Sequence, residues 1–255
     1  MNKKIYSAAL LLFIYVWSFA QADYKIGTKN KDGYTTIYNT VYITDAAYYS
    51  KTSSVTRYGL MEEKTGKIIL PMKYATVYTA YEDGLYIVLD TLNNYGLYSA
   101  TAKKMIVEPQ YNGFQPFSEG VAVVQKKAFV NGWSEYTYGA VDKSGKLVID
   151  VTYPYLGNCR DGMISFKKDD KYGFIDKKGS LKIPATYYRA ENFANGLAPV
   201  QATENDKYGY INTDNKFVIE PQYVEAASFY EGYASVYTEK KFYSYKNSTG
   251  SDNQR

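Results

Sequence analysis

Residues 171–184 read KYGFIDKKGSLKIP, and residues 207–221 read KYGYINTDNKFVIEP. The second stretch begins 36 residues after the first and keeps the same order of aromatic, glycine, aliphatic, turn and proline segments. Self-similarity at a fixed period of about 20 to 50 residues is typical of repeat architectures. The two stretches therefore predict that the chain is built from repeated units.

Three markers trace the same unit through most of the chain. A Tyr-Gly pair occurs at Tyr58-Gly59, Tyr95-Gly96, Tyr138-Gly139, Tyr172-Gly173 and Tyr208-Gly209. A glycine followed by a hydrophobic residue keeps the same phase, at Gly84, Gly120, Gly162, Gly196 and Gly232. A further tyrosine does so too, at Tyr74, Tyr111, Tyr153, Tyr187 and Tyr223. The spacing of all three markers changes in step from one unit to the next. We therefore infer about five units with a period near 36, and a degenerate sixth unit that begins at Phe242.

Each unit contains short runs rich in β-branched and aromatic residues, as in residues 197–201, 208–211 and 216–219. Runs of this length between polar turns predict three antiparallel strands joined by hairpins. The prolines that follow the third run, at Pro71, Pro109, Pro184 and Pro221, are expected to end that strand, because proline cannot donate to a ladder. The predicted fold is an all-β tandem array of about five to six three-stranded antiparallel units, open like a solenoid or closed like a propeller.

These motifs resemble the WG-repeat family of bacteria. Its unit runs F-x-x-G-L-A-x-V, then W/Y-G-Y/F-I-D-x-x-G-K, then V/I-x-P-x-Y. The chain is similar to these patterns at residues 193–198 (FANGLA), 171–176 (KYGFID) and 219–223 (IEPQY). The resemblance covers residues 58–245, with Tyr wherever the family name expects Trp. It implies a β-rich repeat module without an agreed biochemical activity.

The array is preceded by a predicted leader and followed by a polar tail. Lys3 and Lys4, the apolar residues 5–20 and the sequence Ala20-Gln21-Ala22 describe a secretory signal peptide over residues 1–22. Cleavage is expected before Asp23 or before Gln21, and a retained N-terminal anchor is the alternative. The chain is therefore expected to be exported, to the periplasm or the medium, with no membrane span after cleavage. Residues 246–255 are polar and predicted to be disordered.

Residues 23–57 form a segment of their own between the leader and the array. They are rich in tyrosine, and residues 36–38 (TIY) and 40–43 (TVYI) have the composition of strands. An end strand that stays uncovered pairs with other chains. We therefore predict that residues 23–57 cap the repeat array of residues 58–245.

Composition excludes several classes of function. The chain has no histidine, which removes Ser-His-Asp and Cys-His catalysis and histidine-ligated zinc. The 30 basic and 26 acidic residues come still closer to balance once Lys3 and Lys4 leave with the leader, so nucleic acid is not an expected partner. No acidic turn has calcium-loop spacing. We expect no cofactor, no metal and no enzymatic activity.

The single cysteine, Cys159, is interpreted as a core residue. In register with the repeat it occupies the position of Tyr81, Phe117, Phe193 and Phe229. A free cysteine in such a position behaves as a small hydrophobe.

Two other classes of function stay open: a glycan hydrolase that uses two carboxylates, and a secreted inhibitor or immunity protein.

One insertion breaks the pattern. Gly120 and Tyr138 lie 18 residues apart, where the other units have 10 to 12. Residues 128–133 read AFVNGW, and Asn-Gly between apolar runs is the strongest short hairpin signal. Insertions in repeat arrays often lie on the binding face. Trp133, the only tryptophan outside the leader, is the leading candidate for partner contact, with Phe129 and Tyr136. The alternative is that Trp133 packs on one of those two rings.

The repeat tyrosines, such as Tyr172, Tyr208 and Tyr223, have two interpretations. They could form a ladder of platforms on which sugars stack, or they could form a core that the units share, with hydroxyls at its rim. We favour the core. The sequence as a whole then predicts a non-catalytic exported module that binds a protein or glycan of the cell envelope.

Overall fold

The computed structural model describes residues 24–44, 52–80, 82 and 84–238. All regular elements within these ranges are β-strands, which confirms the predicted all-β repeat fold. No helix in this part of the chain is long and apolar enough to cross a membrane. The predicted leader, the sixth unit from Phe242 and the polar tail lie outside the described residues.

The chain divides between Thr152 and Tyr153 into two compact bodies. The N-terminal body holds three antiparallel sheets of four strands each. The first sheet contains β1 (Lys25–Lys29), β2 (Tyr34–Thr44), β3 (Thr52–Glu62) and β4 (Lys67–Tyr74). The second contains β5 (Thr76–Thr79), β6 (Leu85–Leu89), β7 (Tyr95–Ser99) and β8 (Lys104–Tyr111). The third contains β9 (Gly113–Phe114), β10 (Val121–Val130), β11 (Trp133–Asp142) and β12 (Leu147–Tyr153).

The C-terminal body continues the same pattern. Its first sheet contains β13 (Met163–Lys168), β14 (Lys171–Asp176) and β15 (Leu181–Tyr187). The next contains β16 (Arg189–Ala190), β17 (Ala198–Gln201), β18 (Tyr208–Ile211) and β19 (Phe217–Tyr223). A final pair contains β20 (Glu225–Ala226) and β21 (Val236–Tyr237).

In several sheets a short fourth strand joins the three that the sequence predicts, whereas the sheet of β13, β14 and β15 has only three strands. The fourth strand begins two residues after the marker tyrosine, as β5 after Tyr74, β9 after Tyr111 and β16 after Tyr187. It pairs with the first strand of the following unit, as β9 does with β10. Two to four residues are too few to carry a period-two pattern, so the sequence did not reveal this strand.

The expectation that proline ends the third strand is wrong. Strands β4, β8, β15 and β19 each run through their proline to the marker tyrosine. Each of them is an outer strand of its sheet, and the pairing with the preceding strand shifts register in the same region. Proline is tolerated at such edges and bulges because no ladder hydrogen bond is lost there.

The two strand segments predicted at residues 36–43 form one continuous strand. The whole of β2 pairs with β3, which itself runs across residue 58 into the first repeat. The preceding turn is held to the second sheet by Asp32. Its Oδ2 accepts a hydrogen bond from the backbone N–H of Gly84 at 3.0 Å, and its Oδ1 accepts one from the Tyr86 hydroxyl at 2.7 Å. Burial, followed by the hydrogen bond to Asp32, raises the pKa of Tyr86.

Hydrophobic cores lie between successive sheets. One core joins the first sheet to the second through Leu60, Leu70, Tyr86, Val88 and Tyr98. Others join the second sheet to the third, and the two larger sheets of the C-terminal body to each other. Residues 85–88 of β6 are buried without alternation, because both faces of that strand meet a neighbouring sheet. Within each body, a unit therefore buries apolar side chains against its neighbouring unit.

The two kinds of repeated glycine have different structural roles. A Cβ on any Tyr-Gly glycine would lie within 2.7 Å of a carbonyl oxygen in the neighbouring strand. The glycines that precede a hydrophobic residue instead have positive φ, for example 77° at Gly196. Close strand approach requires the first set, and a left-handed turn conformation requires the second.

Candidate functional site

Strands β10 and β11 form the hairpin that the insertion predicts, with ten residue pairs from Val121↔Asp142 to Val130↔Trp133. Its two turn residues have positive φ, 50° at Asn131 and 83° at Gly132. Positive φ at both central residues defines a type I′ turn, whose twist matches that of the flanking strands. The hairpin prediction is confirmed.

The hairpin has a buried base and an exposed tip. Residues 121–124 of β10 are buried, whereas residues 126–130 of β10 and 133–136 of β11 are exposed. The change occurs where Gln125 faces Tyr138, and the Gln125 amide donates a hydrogen bond to the Tyr138 hydroxyl at 2.7 Å. The supporting strand β9 also ends its pairing at Gln125. Beyond that point the hairpin continues as a two-stranded ribbon.

Large side chains at this tip face solvent. Trp133 is 79% exposed, Phe129 is 75% exposed and Tyr136 is 43% exposed. Val130, which the sequence analysis did not single out, is 38% exposed beside them. Its position next to Asn131-Gly132 was a signal that could have identified it. Exposed large apolar groups in a cluster mark interaction sites.

The three candidate residues do not form one surface. Residues that pair directly across an antiparallel ladder share a face, and successive residues alternate. Val130 pairs with Trp133, whereas Phe129 pairs with Ser134 and Lys127 with Tyr136. Trp133 and Val130 therefore lie on one face, and Phe129 and Tyr136 lie on the other. The alternative role of Trp133, packing on Phe129 or Tyr136, is wrong for this reason.

Basic side chains accompany the aromatic ones at the hairpin. The Lys127 ammonium lies 5.9 Å from the centre of the Tyr136 ring, and the Lys126 ammonium lies 5.7 Å from the centre of the Tyr111 ring. Both distances are typical of cation–π contacts. Glu135 lies on the opposite strand, paired with Ala128. The tip is therefore apolar with a mixed-charge flank.

The structure uses the acidic turn residues to hold backbone. Asp142 Oδ1 accepts hydrogen bonds from the N–H groups of Ser144 and Lys146, at 2.9 and 3.0 Å, and from the Ser144 hydroxyl. The hydroxyl contact, together with these N–H groups, lowers the pKa of Asp142. Asp176 does the same for the N–H groups of Lys178 and Ser180. Within the described residues there is no group of three or more Cys, Asp or Glu side chains that could hold a metal ion.

Cys159 is buried in the core, and the repeat tyrosines Tyr172 and Tyr58 are partly buried in packing contacts. Cys159 is 1% exposed, which confirms that its position belongs to the core. Tyr172 is partly buried and packs against the core of the C-terminal body and, edge to face, against Tyr155. Tyr58 packs on Tyr38 in the same partly buried manner. These rings are used for packing between strands and sheets.

A second exposed cluster lies next to the end of the described chain. Tyr230, Tyr233 and Tyr237 are exposed, and residues 225–227 and 235–237 line a groove of about 380 Å³. Residues that occupy the same repeat position as Tyr233, such as Leu85 and Val121, are buried. The chain continues past residue 238 outside the described residues, so the exposure of these tyrosines is not evidence of a binding surface.

Comparison with protein families identifies the repeat. The model of the family described as WG containing repeat matches residues 58–90, 95–128, 138–172, 172–208 and 208–242. The chain belongs to the WG containing repeat family. In this WG-repeat protein the matched segments begin at the Tyr-Gly tyrosines. The extended hairpin runs from the second segment to the third, and its tip, residues 129–137, lies between them. Membership of this family assigns no activity, ligand or partner.

Solved structures share only a broad likeness with this WG-repeat protein. A computationally designed protein, Ika8, is 10% identical, with 86% of this chain and 72% of that chain covered and a TM-score of 0.36. A eukaryotic initiation factor is 11% identical, with 80% and 57% covered and a TM-score of 0.42. Hsv2 of Kluyveromyces lactis is 8% identical, with 77% and 63% covered and a TM-score of 0.35. Comparison with curated proteins found no match.

Proposed function

We propose that this protein is an exported, non-catalytic binding module whose β10–β11 hairpin contacts a protein or glycan of the cell envelope. The observation that carries the proposal is the exposure of Trp133 and Phe129 at the hairpin tip. Most other large aromatic side chains of the first five sheets are buried or partly buried between sheets. The leader predicted from residues 1–22 supports export, and the sequence without histidine supports a role without catalysis.

Energetics favour a partner at this site. Full burial of a side chain as large as Phe stabilises by about 1.5–3 kcal/mol relative to leaving it exposed. Tryptophan and tyrosine are enriched among the residues that contribute most to binding, because they give large rigid contact areas. The tip holds one of each, with Phe129 and Val130 beside them. The repeat array beneath it supplies a rigid base, through the buried residues 121–124.

Retention on fractionated envelope tests this function. The purified full chain, a Trp133→Ala variant and a Phe129→Ala variant would be incubated with protein, peptidoglycan and polysaccharide fractions of the producing cell. We expect each variant to reduce retention on one fraction about tenfold, because about 1.4 kcal/mol is a factor of ten. The matched control is Leu92→Ala, which removes a 78% exposed side chain from a different hairpin.

Three outcomes would contradict the proposal. Retention that both tip variants leave unchanged would remove the hairpin from the contact. Equal losses in the tip variants and in Leu92→Ala would show a general effect of surface apolarity. Release of cut glycan from the polysaccharide fraction would make the protein an enzyme.

A further inference from the structure

The outer edge of β11 is the part of the hairpin that a partner strand can reach. In four sheets the marker tyrosine at the end of the outer strand pairs with the Tyr-Gly tyrosine, as Tyr187 does with Tyr172. By analogy with those four sheets, we infer that Tyr153, where β12 ends, lies opposite Tyr138. Residues 133–137 of β11 extend past this point. The ribbon is therefore open along the line that β12 would follow if it were longer.

The direction of the backbone groups along the hairpin follows from its hydrogen bonds. On β10, the carbonyl of Gln125 accepts from Asn112 N–H, and the N–H of Lys127 donates to Asn112 Oδ1, both at 2.8 Å. Odd-numbered residues of β10 therefore direct their backbone groups away from β11. The residues of β11 that pair with them direct their backbone groups away from β10. The reason is that hydrogen-bonded and non-hydrogen-bonded pairs alternate along an antiparallel ladder.

The outward residues of β11 at the tip are Ser134 and Tyr136, the partners of Phe129 and Lys127. Their N–H and C=O groups make four hydrogen-bonding positions at strand spacing. No hydrogen bond from a turn or loop of the described residues reaches these groups, and residues 133–136 of β11 are exposed. The outer edge of β10 is covered as far as Lys127, because Asn112 binds the backbone groups of Gln125 and Lys127. An edge with unpaired groups is a template for another chain.

The proline pattern singles out the same sheet. The outer strands β4, β8, β15 and β19 each contain a proline, which blocks strand addition. Strand β12 (LVIDVTY) contains none. The sheet that extends its hairpin is therefore also the one whose outer edge lacks this protection, among the five outer strands β4, β8, β12, β15 and β19.

We propose that the partner of the hairpin is an extended polypeptide segment, which pairs as an antiparallel strand with residues 133–137 of β11. Strand addition of this kind derives affinity from main-chain hydrogen bonds and specificity from alternate side chains. The inference rests on the proposed function and narrows its partner to polypeptide.

Cross-strand preferences define the segment that fits. An aromatic or β-branched residue fits opposite Trp133 and opposite Tyr136, on alternate faces. A Lys or Arg fits opposite Glu135, between them. The partner strand is therefore apolar on both faces with a basic residue at its centre.

A proline at position 134 tests the pairing without removing any candidate side chain. The N–H of Ser134 points outward, so Ser134→Pro removes a donor for the partner and none from the hairpin ladder. We expect Ser134→Pro to lower retention of the full chain on the envelope protein fraction at least tenfold. The matched variant Ser134→Ala keeps the N–H, and we expect retention within twofold of wild type.

The outcomes separate this inference from the function on which it rests. Loss of retention in Trp133→Ala but not in Ser134→Pro would overturn strand pairing and leave the hairpin as a site for a glycan or for side-chain contacts. Retention unchanged in both would overturn the function and the inference together.

Amide hydrogen exchange gives a second measurement on the unmodified chain, should Ser134→Pro fail to fold. With the retained partner bound, we expect the amides of Ser134 and Tyr136 to exchange at least tenfold more slowly. The amide of Phe129, which points to the other side of the ribbon, serves as the internal control. Equal exchange with and without the partner at Ser134 and Tyr136 would overturn the inference.

Discussion

Gly173 lies so close to the outer strand of its sheet that a Cβ on it would stand 2.6 Å from the carbonyl oxygen of Ile183. Real Cβ atoms do not approach backbone this closely, so any side chain would push β14 and β15 apart. The same closeness recurs at every Tyr-Gly glycine, for example between Gly209 and Ile219. The pair of residues that defines the repeat is therefore a requirement of strand packing.

A pair of alanine substitutions should separate the two kinds of repeated glycine. Gly173→Ala forces a backbone clash, and we expect it to lower the free energy of unfolding by about 3 kcal/mol. Gly196→Ala meets no atom within 4 Å but must adopt φ of 77°, and we expect a cost of about 1 kcal/mol. Urea unfolding of both variants measures the difference. Equal losses of unfolding free energy in the two variants would show that the Tyr-Gly glycine is not required for close approach of the strands.

The Asp142 turn should tolerate asparagine and not alanine. Asp142→Ala removes the acceptor for the N–H groups of Ser144 and Lys146, and we expect it to cost about 1 kcal/mol. Asp142→Asn keeps an acceptor, as Asn212 does for Asp214 and Lys216 in a later unit. We expect that variant to unfold within about 0.5 kcal/mol of wild type at neutral pH. Alanine and asparagine variants of equal stability would contradict this role.

Acid should remove the contribution of the Asp142 carboxylate. The Ser144 hydroxyl and the backbone N–H groups hold its folded-state pKa below that of the unfolded chain. A lowered carboxyl pKa stabilises the fold above the unfolded pKa of about 4, and the stabilisation is lost as the pH falls through the folded value. The stability advantage of wild type over Asp142→Ala should therefore shrink as the pH is lowered below 4. An advantage that is constant from pH 7 to pH 2 would contradict the cause assigned to the shift.

Strong alkali should destabilise the protein through partly buried phenols such as that of Tyr78. Burial, with the nearby Tyr95 adding to it, raises the pKa of Tyr78 to about 12. The unfolded chain releases this proton near pH 10, so stability is full below that value and falls as the pH rises towards 12. Tyr78→Phe lacks the ionisation, and its stability relative to wild type should increase between pH 10 and pH 12. Chemical unfolding at pH 8 and pH 11 measures this change, and an identical difference at both values would contradict it.

The thiol of Cys159 should react only after the C-terminal body opens. It is 1% exposed and lies in a position that holds phenylalanine in other units, as at Phe193. We expect a thiol reagent to modify the native protein at least about a hundredfold more slowly than the urea-unfolded chain, because reaction requires opening of the core. Rapid modification of native protein would show a thiol accessible from solvent.

Local patterns explain how much of the fold the sequence could predict. Tyrosine and glycine markers, Asp-led turns and the Asn131-Gly132 turn depend on residues close in the chain, and each was located from the sequence. The strands that run through Pro71 and Pro184 were not, because proline ends a strand only where its missing donor would have been used. Whether the donor is used depends on which strand lies at the edge, and the local sequence does not contain that information.

The features of the candidate site likewise divide into those set by the local sequence and those set by the tertiary structure. The sequence alone determined that a hairpin would project between Gly120 and Tyr138 and that Trp133 would lie near its tip, since turn chemistry is local. The two-residue turn at Asn131-Gly132 also fixes the pairing register, and with it the opposite faces of Trp133 and Phe129. Only the tertiary structure decided that Asn112 closes the edge of β10 as far as Lys127, whereas residues 133–136 of β11 stay exposed. Edge coverage arises from contacts between residues distant in sequence, and those contacts form only when the sheets assemble.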